Sequence, residues 1–122
     1  MFLELAHTRM PVFLTAKKLL IECYKVTQLL PAEEKFNLVQ QIRRAALSVY
    51  LNIAEGSSRK SETERKRFYE IARSSVVEVD TALDFCELQY HCRKEDMKRL
   101  GEEIISCFRQ LSGLIGASKK EN

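Results

Sequence analysis

The chain has 122 residues, 45% of them hydrophobic and 30% charged, with only two Pro and four Gly. That size and composition predict one helical domain over residues 1–122 with well-solvated outer faces. The net charge of +3 is too small to mark a nucleic-acid binder, so any such argument must rest on how the charge is distributed.

The N-terminal stretch MFLELAHTRMPVFL carries Glu4 and Arg9 inside its apolar run and has no basic start. A secretory signal is therefore not expected. No uncharged stretch approaches the ~20 residues of a membrane span, and a cytoplasmic location is expected. The four cysteines, Cys23, Cys86, Cys92 and Cys107, form no CxxC pair and no tight cluster. They predict reduced thiols, three of them on apolar seams, and no disulfide framework.

Residues 1–8 read as a short lead-in. A first helix is predicted over 9–29, with Pro11 in its first turn. Its seam is Val12, Ala16, Leu19, Leu20, Cys23, Tyr24 and Thr27, spaced at three and four as a helix requires. Pro31 forbids a straight continuation. A second helix is predicted over 32–55, with Glu33 and Glu34 in its first turn opposing the positive end of the dipole. Its seam is Phe36, Val39, Ile42, Ala46, Val49 and Ile53, and Gly56 is expected to end it through a left-handed conformation.

Ser61 followed by Glu64 reads as a capping box opening a third helix over 62–91. Its seam is Phe68, Ala72, Ser75, Val79, Ala82, Cys86 and Tyr90. A fourth helix is predicted over 95–117, with Glu95 and Asp96 in its first turn. Its seam is Met97, Leu100, Ile104, Cys107 or Phe108, Leu111, and Leu114 or Ile115, followed by a polar tail over 118–122. Four long helices with short connections predict an all-α, antiparallel, up-down-up-down four-helix bundle.

The second helix carries a further stripe of Gln41, Arg44, Ser48, Asn52 and Glu55, spaced 3, 4, 4 and 3. It reads either as a solvated face or as a polar seam against another helix or subunit. The second reading draws on the rarity of Ser, Asn and Gln on open helix faces. Ser74, Ser75 and Glu78 of the third helix are the candidate partners. Between Arg43 and Arg73 stand eight basic residues, Arg43, Arg44, Arg59, Lys60, Arg65, Lys66, Arg67 and Arg73, against four acidic ones. This places the excess charge around one end of the bundle. It is either a solvated face or a phosphate-binding patch.

Catalytic constellations are missing. Glu4-Leu5-Ala6-His7 is the only Glu-x-x-His unit, and it precedes the helices. A di-iron bundle needs two such units inside. His91 beside Cys92 lacks the further ligands of a zinc site. There is no Gly-rich phosphate loop. No metal or cofactor is expected, and the chain reads as a non-enzyme.

The run Gln41-Ile42-Arg43-Arg44-Ala45-Ala46, then Ser48-Val49 and Asn52-Ile53-Ala54-Glu55-Gly56, resembles the bacterial four helix bundle protein family. That family includes proteins encoded in intervening sequences of 23S ribosomal RNA genes and the accessory variability determinant of diversity-generating retroelements. Tyr24, Pro31, Arg59, Phe68, Ile71-Ala72-Arg73, Ser75 and Glu78 extend the likeness over residues 12–115. Two positions depart from the family pattern: Tyr50 stands where Pro is usual, and Ser74 where Gly is usual. Tyr50 predicts a straighter second helix, and Ser74 a looser helix approach. The resemblance implies a homopentameric, barrel-like ring with a basic surface that binds structured RNA or DNA. In the retroelement branch it implies a reverse transcriptase as partner, so an interaction scaffold is the alternative function. Arg43, Arg44, Arg59 and Arg73 are the implied binding positions, with Gln41, Asn52 and Glu55 structural.

Overall fold

The computed structural model describes the backbone of residues 1–120 and the side chains of residues 1–116. It is all-helical, with four long helices and no strand among the described residues. They are α1 (Pro11–Thr27), α2 (Leu38–Ser57), α3 (Glu62–Leu88) and α4 (Lys98–Lys120). They pack as a four-helix bundle in which α2 touches α1 and α3, and α4 touches α3 and α1. Short 3₁₀ turns at Ala6–Arg9, Ala32–Glu34 and Lys94–Met97 precede α1, α2 and α4.

Those turns account for most of the boundary differences from the sequence. The second helix starts at Leu38, not at 32, because residues 32–37 are spent in a 3₁₀ turn and a further bend. Glu33 and Glu34 therefore lie in that turn and not in the first turn of α2, and Phe36, expected in the core, is 77% exposed. Glu95 and Asp96 likewise sit in the 3₁₀ turn before α4, where Asp96 accepts from the Arg93 backbone N–H at 3.1 Å. The fourth helix also continues into the stretch read as a polar tail, as far as Lys120; Glu121 and Asn122 lie outside the described residues.

The core is built from Val12, Phe13, Ala16, Leu19, Cys23 and Val26 of α1 and Ile42, Ala46, Val49 and Ile53 of α2. Ala72, Val76, Val79, Leu83 and Cys86 of α3 and Leu100, Ile104, Cys107, Leu111 and Ile115 of α4 complete it. Phe13 and Val26 replace the expected Tyr24, which lies outside under the Arg43 guanidinium (4.3 Å to the ring centroid). In α4 the open alternatives resolve to Cys107 and Ile115, and Phe108 is exposed. Tyr50 stacks on Phe13 at 4.6 Å with 21° between ring planes. Ser74 is exposed.

Helix α3 opens at Glu62 with one half of the expected capping box, the Ser61 hydroxyl accepting from the Glu64 N–H at 3.3 Å; the return bond from the Ser61 N–H to the Glu64 carboxylate is not made. It ends earlier than expected, at Leu88, in a Schellman motif: the His91 N–H reaches Cys86 O and the Tyr90 N–H reaches Glu87 O. Tyr90, assigned to the seam by periodicity, occupies the left-handed position with φ 59° and is 95% exposed. A side chain there costs about 1 kcal/mol that glycine avoids. Tyr90→Gly is expected to raise unfolding stability by ~1 kcal/mol, read as a higher urea midpoint at unchanged slope.

The same end of α3 is tied to the turn before α2 by the His91 Nε2 to Glu34 Oε2 contact of 3.1 Å. Hydrogen bonding from Asn37, and then from His91, holds the Glu34 carboxyl below its ordinary value of 4.5. A carboxyl lowered on folding favours the native state above its unfolded pKa and stops doing so as pH falls through the folded one. Stability should therefore fall with acid below about pH 4.5, and Glu34→Gln should flatten that limb in urea titrations from pH 3 to 6. An equal slope in both proteins would exclude Glu34 as a source.

Candidate nucleic-acid interface

The α2–α3 link explains why a basic cluster can form here. Gly56 is helical, and no glycine has positive φ, so the expected left-handed cap is absent. What Gly56 supplies is room. A Cβ there would lie 2.9 Å from Phe68 Cβ, 3.0 Å from Tyr69 Cε1 and 3.2 Å from Arg65 O. This close approach buries Tyr69 to 7% exposure and leaves the neighbouring Phe68 half-buried, reversing the expected order. The chain then turns through Ser58 to Ser61 and enters α3, whose first turns carry Arg65, Lys66 and Arg67.

The eight basic residues do not form one patch. Arg43 lies about four turns before the end of α2, ~20 Å away along the axis. Its Nε donates to Thr27 Oγ1 at 2.9 Å, which fastens α2 to α1. Arg73 is three turns into α3 and donates to Ser112 Oγ of α4 at 3.2 Å. Arg65 Nη1 donates to Arg59 O at 2.9 Å and Lys60 O at 2.8 Å, closing the link. Arg59 pairs with Glu55 at 3.0 Å, and its guanidinium lies 5.0 Å from the Phe68 ring centroid. Lys60 and Arg67 are exposed and Lys66 is half-buried, and none of the three makes an ion pair among the described residues. Arg44 is exposed on the α2 surface, toward the other end.

The polar stripe divides in a similar way. Its centre meets α3: Ser75 Oγ donates to Ser48 Oγ at 2.9 Å, and Asn52 Nδ2 donates to Ser48 O at 2.8 Å and Ser48 Oγ at 3.0 Å. Its ends, Gln41, Arg44 and Glu55, are exposed, as is Glu78 of α3. Sequence spacing named Ser75 as a candidate partner, but nothing in it separated the buried centre of the stripe from the exposed ends.

Burial pushes the thiols of Cys23, Cys86 and Cys107 up to about 12 and raises that of Cys92. None is a thiolate nucleophile near neutral pH. No group of three or more His, Cys, Asp or Glu is placed to hold a metal ion among the described residues. Within them no helix is long and apolar enough to cross a membrane.

A helical bundle with a cation-rich link between its second and third helices defines the class. The model of the family described as 23S rRNA-intervening sequence protein matches residues 8–113, and the chain belongs to that family. No match is found among the curated proteins.

Proposed function

We propose that this chain is a non-catalytic, cytoplasmic, oligomeric bundle protein that binds structured nucleic acid through the α2–α3 link. The observation that carries this reading is the stretch Arg59–Arg67, with five basic residues against two acidic ones. There Arg65 braces the backbone and Arg59 pairs with Glu55, which leaves Lys60, Lys66 and Arg67 for phosphates. Phosphate contact by such cations supplies affinity without base sequence.

An antiparallel course of α2 and α3, as in an up-down-up-down bundle, would suit this placement. Glu34 meets His91, Ser48 meets Ser75, and Gly56 meets Phe68, so partners in α3 recede as α2 advances. The homopentameric ring implied by the resemblance would repeat the cationic link around an axis and raise the local potential.

A second reading, a protein-interaction scaffold that holds a partner such as a reverse transcriptase, draws on one observation. A groove of about 360 Å³ between α3 and α4 exposes Val77, Ile105 and Phe108. Light-scattering mass combined with titration of an RNA hairpin near 50 mM salt separates the readings. Nucleic-acid binding by an oligomer is the expected result. A monomer would remove the ring, and an oligomer without RNA affinity would favour the scaffold.

A further inference from the structure

A second groove, of about 640 Å³ and open to solvent, lies where the N-terminal lead-in crosses α2 and the start of α3. Its volume is within the roughly 300–1,000 Å³ of small-ligand sites. Its lining includes Leu5, His7, Leu51, Asn52, Phe68 and the Glu55 carboxylate, which Arg59 neutralises at 3.0 Å. Leu51 is 55% exposed, and Phe68 is half-buried beneath the Arg59 guanidinium. These supply flat apolar walls.

The polar groups around the groove are not all satisfied within the protein. His7 is only 8% exposed and packs edge-on to Phe13 at 4.8 Å, yet its buried Nε2 has no hydrogen-bond partner. Arg59 Nε is likewise buried and unpartnered, although Nη2 of the same side chain is held by Glu55. Asn52 spends its NH₂ on Ser48, and its carbonyl oxygen accepts no side-chain hydrogen bond among the described residues. Buried polar atoms are normally paired, so the orphan nitrogen of His7, which lines the groove, points to an absent partner; Arg59 stands outside the lining, over the Phe68 ring.

Apolar faces with a polar edge, next to a cation, fit a nucleobase and its phosphate. Unstacked bases are recognised in this way, by stacking on aromatic or guanidinium planes and hydrogen bonding at the edge. We propose that this groove takes one unpaired, extruded base of a bound RNA, with Asn52 and His7 at its edge and its phosphate on Lys60. The proposal rests on the nucleic-acid reading above and adds to it a preference for a bulged or looped nucleotide over a continuous duplex.

The test uses the full chain and two RNA hairpins that differ only in one bulged 2-aminopurine nucleotide. The bulged hairpin should bind about tenfold tighter, the order expected of a single stacked base, with a change in 2-aminopurine fluorescence. Leu51→Asn removes a wall at an exposed site, and His7→Phe removes the orphan nitrogen without leaving a void. Both variants should bind the paired hairpin as the wild type does and lose the preference for the bulge. Equal wild-type affinity for the two hairpins would overturn the base site and leave the nucleic-acid reading standing. Persistence of the preference in either variant would also overturn the base site. Binding to neither hairpin would overturn both.

Discussion

Replacing Lys60, Lys66 and Arg67 together by glutamate is expected to weaken binding to a folded RNA by at least ~10²-fold at moderate salt. The helical content and oligomer mass should be unchanged. Each of the three side chains lacks an ion-pair partner among the described residues, so reversal breaks no ion pair of the fold. Lys66 and Arg67 also sit near the start of α3, where an acidic side chain is favoured by the helix dipole. Arg59 and Arg65 are unsuitable targets despite standing in the same cluster. Arg65 closes the link through two backbone carbonyls, and Arg59 is paired with Glu55. Reversing either would mix lost phosphate contact with lost structure. Anisotropy titration alongside circular dichroism reads the effect, and wild-type affinity in the triple variant would place binding elsewhere.

The largest effect on stability is expected at Gly56. A methyl group there gains about 1 kcal/mol of helix propensity but meets Phe68 Cβ at 2.9 Å and Arg65 O at 3.2 Å. Both obstacles belong to or adjoin the α3 backbone and cannot swing aside. Overpacking of this kind costs typically ~1–3 kcal/mol and sometimes more. Gly56→Ala should therefore be destabilised by up to about 2 kcal/mol, and Gly56→Val, with two further methyl groups, by about 3 or more. Gly101 provides the contrast. Nothing lies within 4 Å of a Cβ built there, so Gly101→Ala should stabilise by up to ~1 kcal/mol. Urea unfolding of the three variants reads the ordering, and a Gly56→Ala protein as stable as Gly101→Ala would remove the close-approach argument.

Much of the bundle was legible because a three-four apolar spacing has one physical solution, a buried stripe. Val39, Ile42, Ala46, Val49 and Ile53 are all in the core. The errors gather at aromatic residues near helix ends. Adjacent Phe68 and Tyr69 fit a helical stripe almost equally well, and only the contact with Gly56 decides between them. Phe36 and Tyr90 follow the period in sequence but fall in turns, where the period has no meaning. The glycine itself was read as a cap, since sequence does not distinguish a residue chosen for φ from one chosen for its missing Cβ.

The candidate interface was legible in composition and less so in space. Nearness along the chain joined Arg43 and Arg73 to the link, but ~20 Å of helix separates Arg43 from it. Hydrogen bonds across the bundle assign Arg43 and Arg73 to Thr27 and Ser112. In sequence His7 stands in the lead-in and belongs only to an isolated Glu-x-x-His unit. Its orphan nitrogen depends on Phe13 and on the crossing of α2, neither of which the local sequence signals.

The most direct measurement is the salt dependence of wild-type affinity for a structured RNA. Lys60, Lys66 and Arg67 predict that log affinity falls against log salt with a slope between about −2 and −3. A slope near zero, or no binding at about 50 mM salt where phosphate contacts are strongest, would contradict a phosphate-binding role for the α2–α3 link.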